Sequence, residues 1–162
     1  RSRVLANSGE SQTARQASNF GGGLVTDAVQ IPERSFVRLL ENRGLDANTI
    51  QNIRETFDGP VFARHGVVGD ELTITESSVG TGSGRFLTRD SAGATPDVRR
   101  ALLALPDSNL ALVESPVYIT RPQILLEGRV APQLNPPFGP WATGGGWQVV
   151  TDGGFRNGAI ER

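Results

Sequence analysis

Apolar residues recur with helical spacing in the first part of the chain and in short strand-like runs in the rest. Two helical stripes follow one another, made of Phe36, Val37, Leu39 and Leu40, and then of Ile50, Ile53 and Phe57. Pro32 suits the start of the first helix, and Gly44 suits its end. Asp46 or Asn48 can cap the second helix, which Gly59-Pro60 ends. The pattern predicts a helical hairpin whose apolar stripes face a core.

Beyond this hairpin the chain consists of short segments, many rich in β-branched residues, separated by loops. The predicted strands are Val61–Ala63, Glu71–Thr75, Arg85–Thr88, Leu110–Glu114, Val117–Thr120, Gln123–Leu126 and Gln148–Val150. One more helix is predicted to begin at Thr95-Pro96-Asp97 and to end at Leu105, before Pro106. We therefore expect an α+β fold in which the N-terminal helical hairpin packs on a mixed, mostly antiparallel β core.

The length of 162 residues is that of one ordinary domain. Residues 1–23 are polar and end in a glycine run, which predicts a flexible N-terminal tail. Residues 24–162 are then a single domain, with a helical part (24–59) and a β-rich part (60–162). Pro and Gly are dense between residues 128 and 146, so we expect a long, shaped loop of functional importance there.

The amino-acid composition excludes several kinds of partner and of catalytic chemistry. A net charge of −1 argues against a nucleic-acid or anionic-lipid partner. No apolar run reaches the ~18 residues that a membrane span needs, and the polar start gives no sign of a signal peptide. The chain has no Cys, no Lys and one His, so thiol chemistry, Cys-type zinc sites, Schiff bases and the phosphate-binding P-loop are excluded. We expect neither a metal nor a cofactor. Since Met is also absent, we expect a processed piece of a longer protein.

A few positions remain as candidates for a site. Gly80-Thr81-Gly82-Ser83-Gly84 could turn backbone N–H groups toward a phosphate, or it could be a glycine-rich hairpin turn. Arg64, which ends a predicted strand, could clamp a diphosphate, whereas the neighbouring His65 suits a structural or surface role better. Trp147 and Gln148 follow three glycines, which would place both side chains at the edge of a cleft.

Several short motifs occur in an order that resembles a known family. They are RHG at 64–66, GRFLT at 84–88, an Arg before Ala-Leu and Pro at 100–106, GRVAP at 128–132 and GGGWQVV at 144–150. In this order they resemble the tuberculosis necrotizing toxin family, NAD(P)+ glycohydrolases found at the C-terminal ends of large bacterial polymorphic toxins. The resemblance covers about residues 60–152, more than half of the chain.

This resemblance implies a role for each matching residue. Gln148 would be the essential glutamine at the scissile ribose, and Arg64 would lie against the NAD phosphates with a share in catalysis. Phe86 would flank the nicotinamide, and Arg100 would be the second phosphate-side arginine. Arg85 and Trp147 are the remaining substrate-binding candidates. The fold would resemble the split-sheet scaffold of ADP-ribosylating toxins.

The predicted function is hydrolysis of NAD+, and of NADP+, to ADP-ribose and nicotinamide. Nicotinamide leaves the dinucleotide as a neutral molecule, so no general acid is needed, in contrast to an ordinary glycoside. The resemblance further implies a secreted effector that empties the NAD pool in the cytosol of a target cell, and a cognate immunity protein that binds it. ADP-ribosyl transfer and ADP-ribosyl cyclisation are alternatives, although the chain has no Glu-x-Glu motif. A non-catalytic binding module of a larger secreted protein is the other alternative.

Overall fold

A computed structural model of the chain describes residues 28–162, and the predicted tail lies outside the described residues. The helices are α1 (Glu33–Asn42), α2 (Ala47–Glu55) and α3 (Pro96–Leu102). The strands are β1 (Val29–Ile31), β2 (Val61–Gly66), β3 (Glu71–Glu76), β4 (Phe86–Leu87), β5 (Val113–Ile119), β6 (Gln123–Arg129), β7 (Trp147–Val150) and β8 (Ile160–Glu161).

All three predicted helices are confirmed, and two of the predicted caps form. The Asp46 side chain accepts a hydrogen bond from the Thr49 N–H at the start of α2, and Thr95 caps α3 through the Val98 N–H. Helix α3 ends earlier than predicted, at Leu102. Ala104 has a φ of 48°, which takes the chain out of the helix two residues before Pro106.

The strands form two antiparallel sheets. One has the order β1-β2-β6-β7-β4 and the other has the order β3-β5-β8. An isolated bridge between Thr73 and Thr88 joins the sheets where β4 ends. The α+β architecture, with a helical hairpin on an antiparallel core, is therefore confirmed.

Two apolar clusters lie on opposite faces of the five-stranded sheet. On the helix-bearing face, Leu126 and Val150 pack against α1 and α2. On the other face, Leu125 and Val149 pack against the three-stranded sheet. Because neighbouring residues of a strand point to opposite faces, each strand supplies both clusters. The molecule thus has three layers, with the five-stranded sheet in the middle.

The strand prediction lacks the two short strands β1 and β8, and it expects two strands, Leu110–Glu114 and Val117–Thr120, where the structure has the single strand β5, which begins at Val113. The sequence places a break at Pro116, but β5 runs through it. Pro116 faces Thr73 of β3, whereas β8 reaches only Tyr118 and Ile119 on the other side of β5. Since Pro116 lies where this side of β5 is an open edge, its missing N–H interrupts no pairing.

Candidate active site

A cavity of about 350 Å³ opens at the β4 edge of the five-stranded sheet. Its wall combines apolar side chains with neutral polar groups. The residues that line it are Thr56, Thr73, Ile74, Thr75, Gly82, Ser83, Gly84, Phe86, Leu87, Thr88, Leu103, Ala104, Leu105, Pro106, Asn109, Val130, Gln133, Phe138 and Gln148. The described wall carries no ionisable side chain. This volume falls in the lower part of the roughly 300–1,000 Å³ range of small-molecule sites.

Gln148 reaches this cavity from β7, the strand that begins directly after the glycine run. Gly144 has a φ of +76°, and a Cβ there would lie 2.6 Å from the carbonyl oxygen of Val130. A Cβ on Gly146 would lie 3.0 Å from the carbonyl oxygen of Leu102. The glycines therefore let the end of β6 and the end of α3 approach β7 closely. That packing fixes the start of β7, and with it the face onto which Gln148 points.

One half of the Gln148 amide is engaged by the protein. Its Nε2 donates to the Thr56 carbonyl oxygen at 3.1 Å and to Thr56 Oγ1 at 2.9 Å. The residue is only 5% exposed. Within residues 28–162 no group donates a hydrogen bond to its Oε1, although buried polar atoms usually have a partner. Gln148 is thus held in place with an acceptor left over at the cavity wall.

Phe86 shares the cavity with Gln148. Phe86 pairs with Val150 across β4 and β7, and Val150 lies two residues after Gln148. Paired residues and residues two apart in a strand point to the same face, so all three side chains lie on the helix-bearing face. Phe86 is 40% exposed. It therefore offers part of a ring to any molecule that enters beside Gln148.

The opposite wall is held by the long Pro- and Gly-rich loop. Trp141 Nε1 donates to the Leu105 carbonyl oxygen at 2.9 Å, and Gly144 N donates to Ala101 O at 2.8 Å. Arg100 lies 4.3 Å above the Trp141 ring, and its Nε donates to the Asn109 carbonyl oxygen. Arg100 thus borders the cavity through Asn109 without lining it.

The glycine-rich segment 80–84 holds an internal anion. Glu76 is fully buried, and its Oε1 accepts from Gly82 N at 2.8 Å and Gly80 N at 3.1 Å. Arg162 donates to both carboxylate oxygens. Burial alone would raise the pKa of Glu76, but these hydrogen bonds hold the pKa below its usual value. The two N–H groups are therefore taken by a carboxylate of the chain, so they do not form the phosphate cradle that the glycines could otherwise make.

Arg64 lies away from the cavity. It sits inside β2, paired with Leu125, rather than at the end of a strand. Its Nε donates to Glu127 Oε2 at 2.8 Å, and Glu127 is fully buried. Register places Arg64 and Glu127 on the face opposite Gln148, because Glu127 pairs with Val149.

Trp147 belongs to the same buried group as Arg64. Its Nε1 donates to Glu127 Oε1 at 3.1 Å, and its ring packs on Phe62. Arg89 adds three further donor contacts to the Glu127 carboxylate, at 2.6–3.0 Å. We call Arg64, Arg89, Glu127 and Trp147 the Glu127 cluster. Every contact in it satisfies a buried charge, which is the usual pattern of a structural ion pair.

The structure thus brings together Phe86 and Gln148, places Arg100 at the border of their cavity, and separates Arg64 and Trp147 from them. Arg85, which precedes Phe86 in the chain, lines a separate cleft and not this cavity. His65 is exposed, as expected.

Sequence reasoning missed Thr56, which anchors the Gln148 amide. Thr56 follows α2 directly, and a threonine after a helix carries no signal that would distinguish it.

No protein-family model and no curated protein matches the chain. The chain is similar in fold to a solved structure of Tse6 in complex with Tsi6, with a TM-score of 0.57 and 15% sequence identity. The alignment covers 79% of this chain and 90% of that chain. At this identity the likeness establishes a shared fold.

Among the described residues, none of the helices is both long and apolar enough to cross a bilayer. The same part of the chain contains no group of three or more His, Cys, Asp or Glu residues that could hold a metal ion.

Proposed function

We propose that the chain is a toxin module that hydrolyses NAD+, and NADP+, to ADP-ribose and nicotinamide. The observation that supports this most is that Gln148 and Phe86 line one cavity in which the Gln148 carbonyl oxygen has no hydrogen-bond donor among residues 28–162. These are the two residues that the family resemblance assigns to the scissile ribose and to the nicotinamide.

The neutral cavity suits this reaction. Nicotinamide carries its positive charge on the glycosidic nitrogen and leaves uncharged, so its departure needs no proton donor. The barrier is the positive charge that develops on the ribose, which a correctly oriented carbonyl dipole stabilises. In this proposal the C–N bond to nicotinamide breaks, water adds to the ribose carbon and its proton passes to bulk water. Gln148 Oε1 accepts a hydrogen bond from a ribose hydroxyl or from that water, while Thr56 fixes the amide. Phe86 packs against the nicotinamide ring.

The phosphates of the dinucleotide require cations that the described wall of the cavity does not contain. Arg64 is engaged by Glu127 on the other face of the sheet. Arg100 contacts Asn109 of the cavity wall, and Arg85, the neighbour of Phe86 in the chain, lines an adjoining cleft. Either could approach a phosphate of a bound dinucleotide.

The biological role follows from the same resemblance. The module would deplete the NAD pool in the cytosol of a target cell after secretion, and a cognate immunity protein would protect the producer. The shared fold with Tse6, solved together with Tsi6, supports a partner protein of this kind.

The test is the release of nicotinamide from NAD+, measured by chromatography, with the wild-type chain and with Gln148→Ala. We expect multiple turnovers by the wild type and a kcat lower by about 100-fold or more in the variant, the size of effect seen when a preorganised polar group is removed. ADP-ribose as the second product distinguishes hydrolysis from cyclisation and from transfer.

The matched control is Gln133→Ala, which removes a second glutamine from the same wall. The Gln133 Nε2 donates to the Glu55 carbonyl oxygen, so the variant loses a comparable contact. We expect Gln133→Ala to keep kcat within about threefold of the wild type. The absence of nicotinamide release at high wild-type concentration, or equal losses in both variants with both folds intact, contradicts the proposal.

A further inference from the structure

A second concave site lies on the helix-bearing face of the sheet, the face that also carries Phe86 and Gln148. Its volume is about 320 Å³. Its lining includes three arginines, Arg43, Arg85 and Arg156, above an apolar floor that contains Leu40 and Val150. We call this site the arginine cleft.

Positive charge exceeds negative charge in the arginine cleft. Among the described residues that line it, the one carboxylate is that of Asp152, which is shared by Arg43 Nε at 3.4 Å and by Arg121 Nη1 at 3.0 Å. Within residues 28–162, neither Arg85 nor Arg156 has a carboxylate within 4.0 Å. Guanidinium groups with no acidic partner in a concave site are the usual arrangement for binding a phosphate or a carboxylate.

The surroundings of Arg43 in the arginine cleft disfavour its positive charge. Its side chain is 11% exposed. Burial lowers the pKa of Arg43, the Asp152 carboxylate opposes that change, and the nearby charges of Arg121 and Arg85 lower the pKa further. An anion bound among these arginines would compensate the cost of burying the Arg43 charge and would reduce the repulsion between the guanidinium groups.

The arginine cleft and the cavity are close neighbours. Val150 lines the cleft and Gln148 lines the cavity, and two residues of a strand span roughly 7 Å. Gly84 and Phe86 line the cavity, whereas Arg85 between them lines the cleft. A molecule that passes over the exposed ring of Phe86 therefore reaches both sites.

We propose that the arginine cleft binds the diphosphate group of the dinucleotide while the nicotinamide riboside part occupies the cavity. This inference rests on the proposed function and adds the position of the phosphates to it. It resolves the mismatch between a substrate with two negative phosphates and a cavity whose described wall is neutral. In this proposal the arginines of the cleft bind the phosphates in place of Arg64, because the Arg64 guanidinium is hydrogen-bonded within the Glu127 cluster.

The test compares three purified proteins: the wild type, the double variant Arg85→Gln/Arg156→Gln, and the double variant Arg34→Gln/Arg38→Gln. The last pair lies on an exposed part of α1 and removes the same charge. For NAD+ we expect the cleft variant to raise KM about tenfold or more with kcat within about twofold, and the α1 variant to change neither. For nicotinamide riboside, which has no phosphate, we expect the same KM with all three proteins.

Calorimetric titration with ADP-ribose supplies a readout that needs no turnover. We expect the cleft variant to bind ADP-ribose about tenfold or more weakly than the wild type, and the α1 variant to match the wild type. The wild type could bind ADP-ribose more tightly than the cleft variant and yet release no nicotinamide. That result would reject the proposed hydrolysis and would support the arginine cleft as a diphosphate-binding site.

Two results would overturn the inference and leave hydrolysis intact. One is an active wild type whose KM for NAD+ and affinity for ADP-ribose are unchanged in the cleft variant. The other is a comparable loss for Arg100→Gln alone with no loss in the cleft variant, which would place the phosphates on the α3 side of the cavity.

Discussion

The two faces of the five-stranded sheet treat polar side chains in opposite ways. On one face, Glu127 accepts hydrogen bonds from Arg64, Arg89 and Trp147, so a buried charge is fully compensated. On the other face, Gln148 is neutral, and in the part of the chain that the structure describes only its Nε2 has a hydrogen-bond partner. A satisfied buried charge stabilises the fold, whereas an unsatisfied acceptor at a cavity is available to a ligand. We therefore expect the Glu127 face to stabilise the fold and the Gln148 face to hold the ligand site.

The substitution with the largest expected effect is Glu127→Gln, which removes the buried charge of the Glu127 cluster. Loss of the carboxylate leaves two guanidinium groups without their common partner in a buried setting. We expect the free energy of unfolding to fall by about 3–5 kcal/mol, measured by urea denaturation. A loss below about 1 kcal/mol would show that the cluster is not a structural ion pair.

Glu76→Gln tests the anchor of the glycine-rich segment that lines the cavity. We expect a loss of about 3 kcal/mol at neutral pH, the upper end for bonds to charged groups, because Glu76 holds Arg162 and two backbone N–H groups.

The Glu76 effect should depend on pH. The pKa of Glu76 lies below its ordinary value of 4.5, so the stabilisation by the carboxylate is complete above that pH and is lost as the pH falls below it. The difference in unfolding free energy between the wild type and Glu76→Gln is therefore expected to be constant above about pH 5.5 and to shrink toward pH 3. A difference that stays constant down to pH 3 would contradict the assigned role of Glu76.

Arg64→Gln separates a structural role from a catalytic role. Arg64 makes one hydrogen bond to Glu127, so we expect a loss of about 1.5 kcal/mol in unfolding free energy. We expect kcat/KM for NAD+ to stay within about twofold of the wild type when both are assayed well below their melting temperatures. A 100-fold fall in kcat/KM with an intact fold would instead support the phosphate role that the family resemblance implies.

Phe86→Ala is expected to have a moderate effect on activity. The ring is 40% exposed, so the variant loses only the buried part of its apolar contact, and we expect the fold to be retained. Loss of one aromatic contact to nicotinamide corresponds to a fall in kcat/KM of up to about tenfold. Phe86→Tyr keeps the ring and serves as the control, with activity expected near that of the wild type.

Local signals in the sequence predicted the helices and the close backbone packing next to Gln148. Asp46 and Thr95 have short-range cap partners, so the helix starts could be read from the chain. The glycine run before Gln148 correctly indicated a close approach of backbone segments. Alternation along a strand also requires Trp147 and Gln148 to point to opposite faces, as they do.

Long-range pairing was the part that the sequence could not supply. Arg64 looks equally suited to a phosphate and to a carboxylate, and only the register of β2 on β6 places it near Glu127. Glu76 and Arg162 are 86 residues apart, so nothing local links them. The same holds for Thr56 and Gln148, which are 92 residues apart and meet only in the folded chain.

The most direct test of the central claim is the pH profile of kcat for nicotinamide release from NAD+ by the wild-type chain. The described wall of the cavity carries no ionisable side chain, so we expect turnover with a kcat that changes by less than about twofold between pH 6 and pH 9. A kcat that rises or falls with an ionisation in this range, or no release of nicotinamide at any pH, would contradict the account.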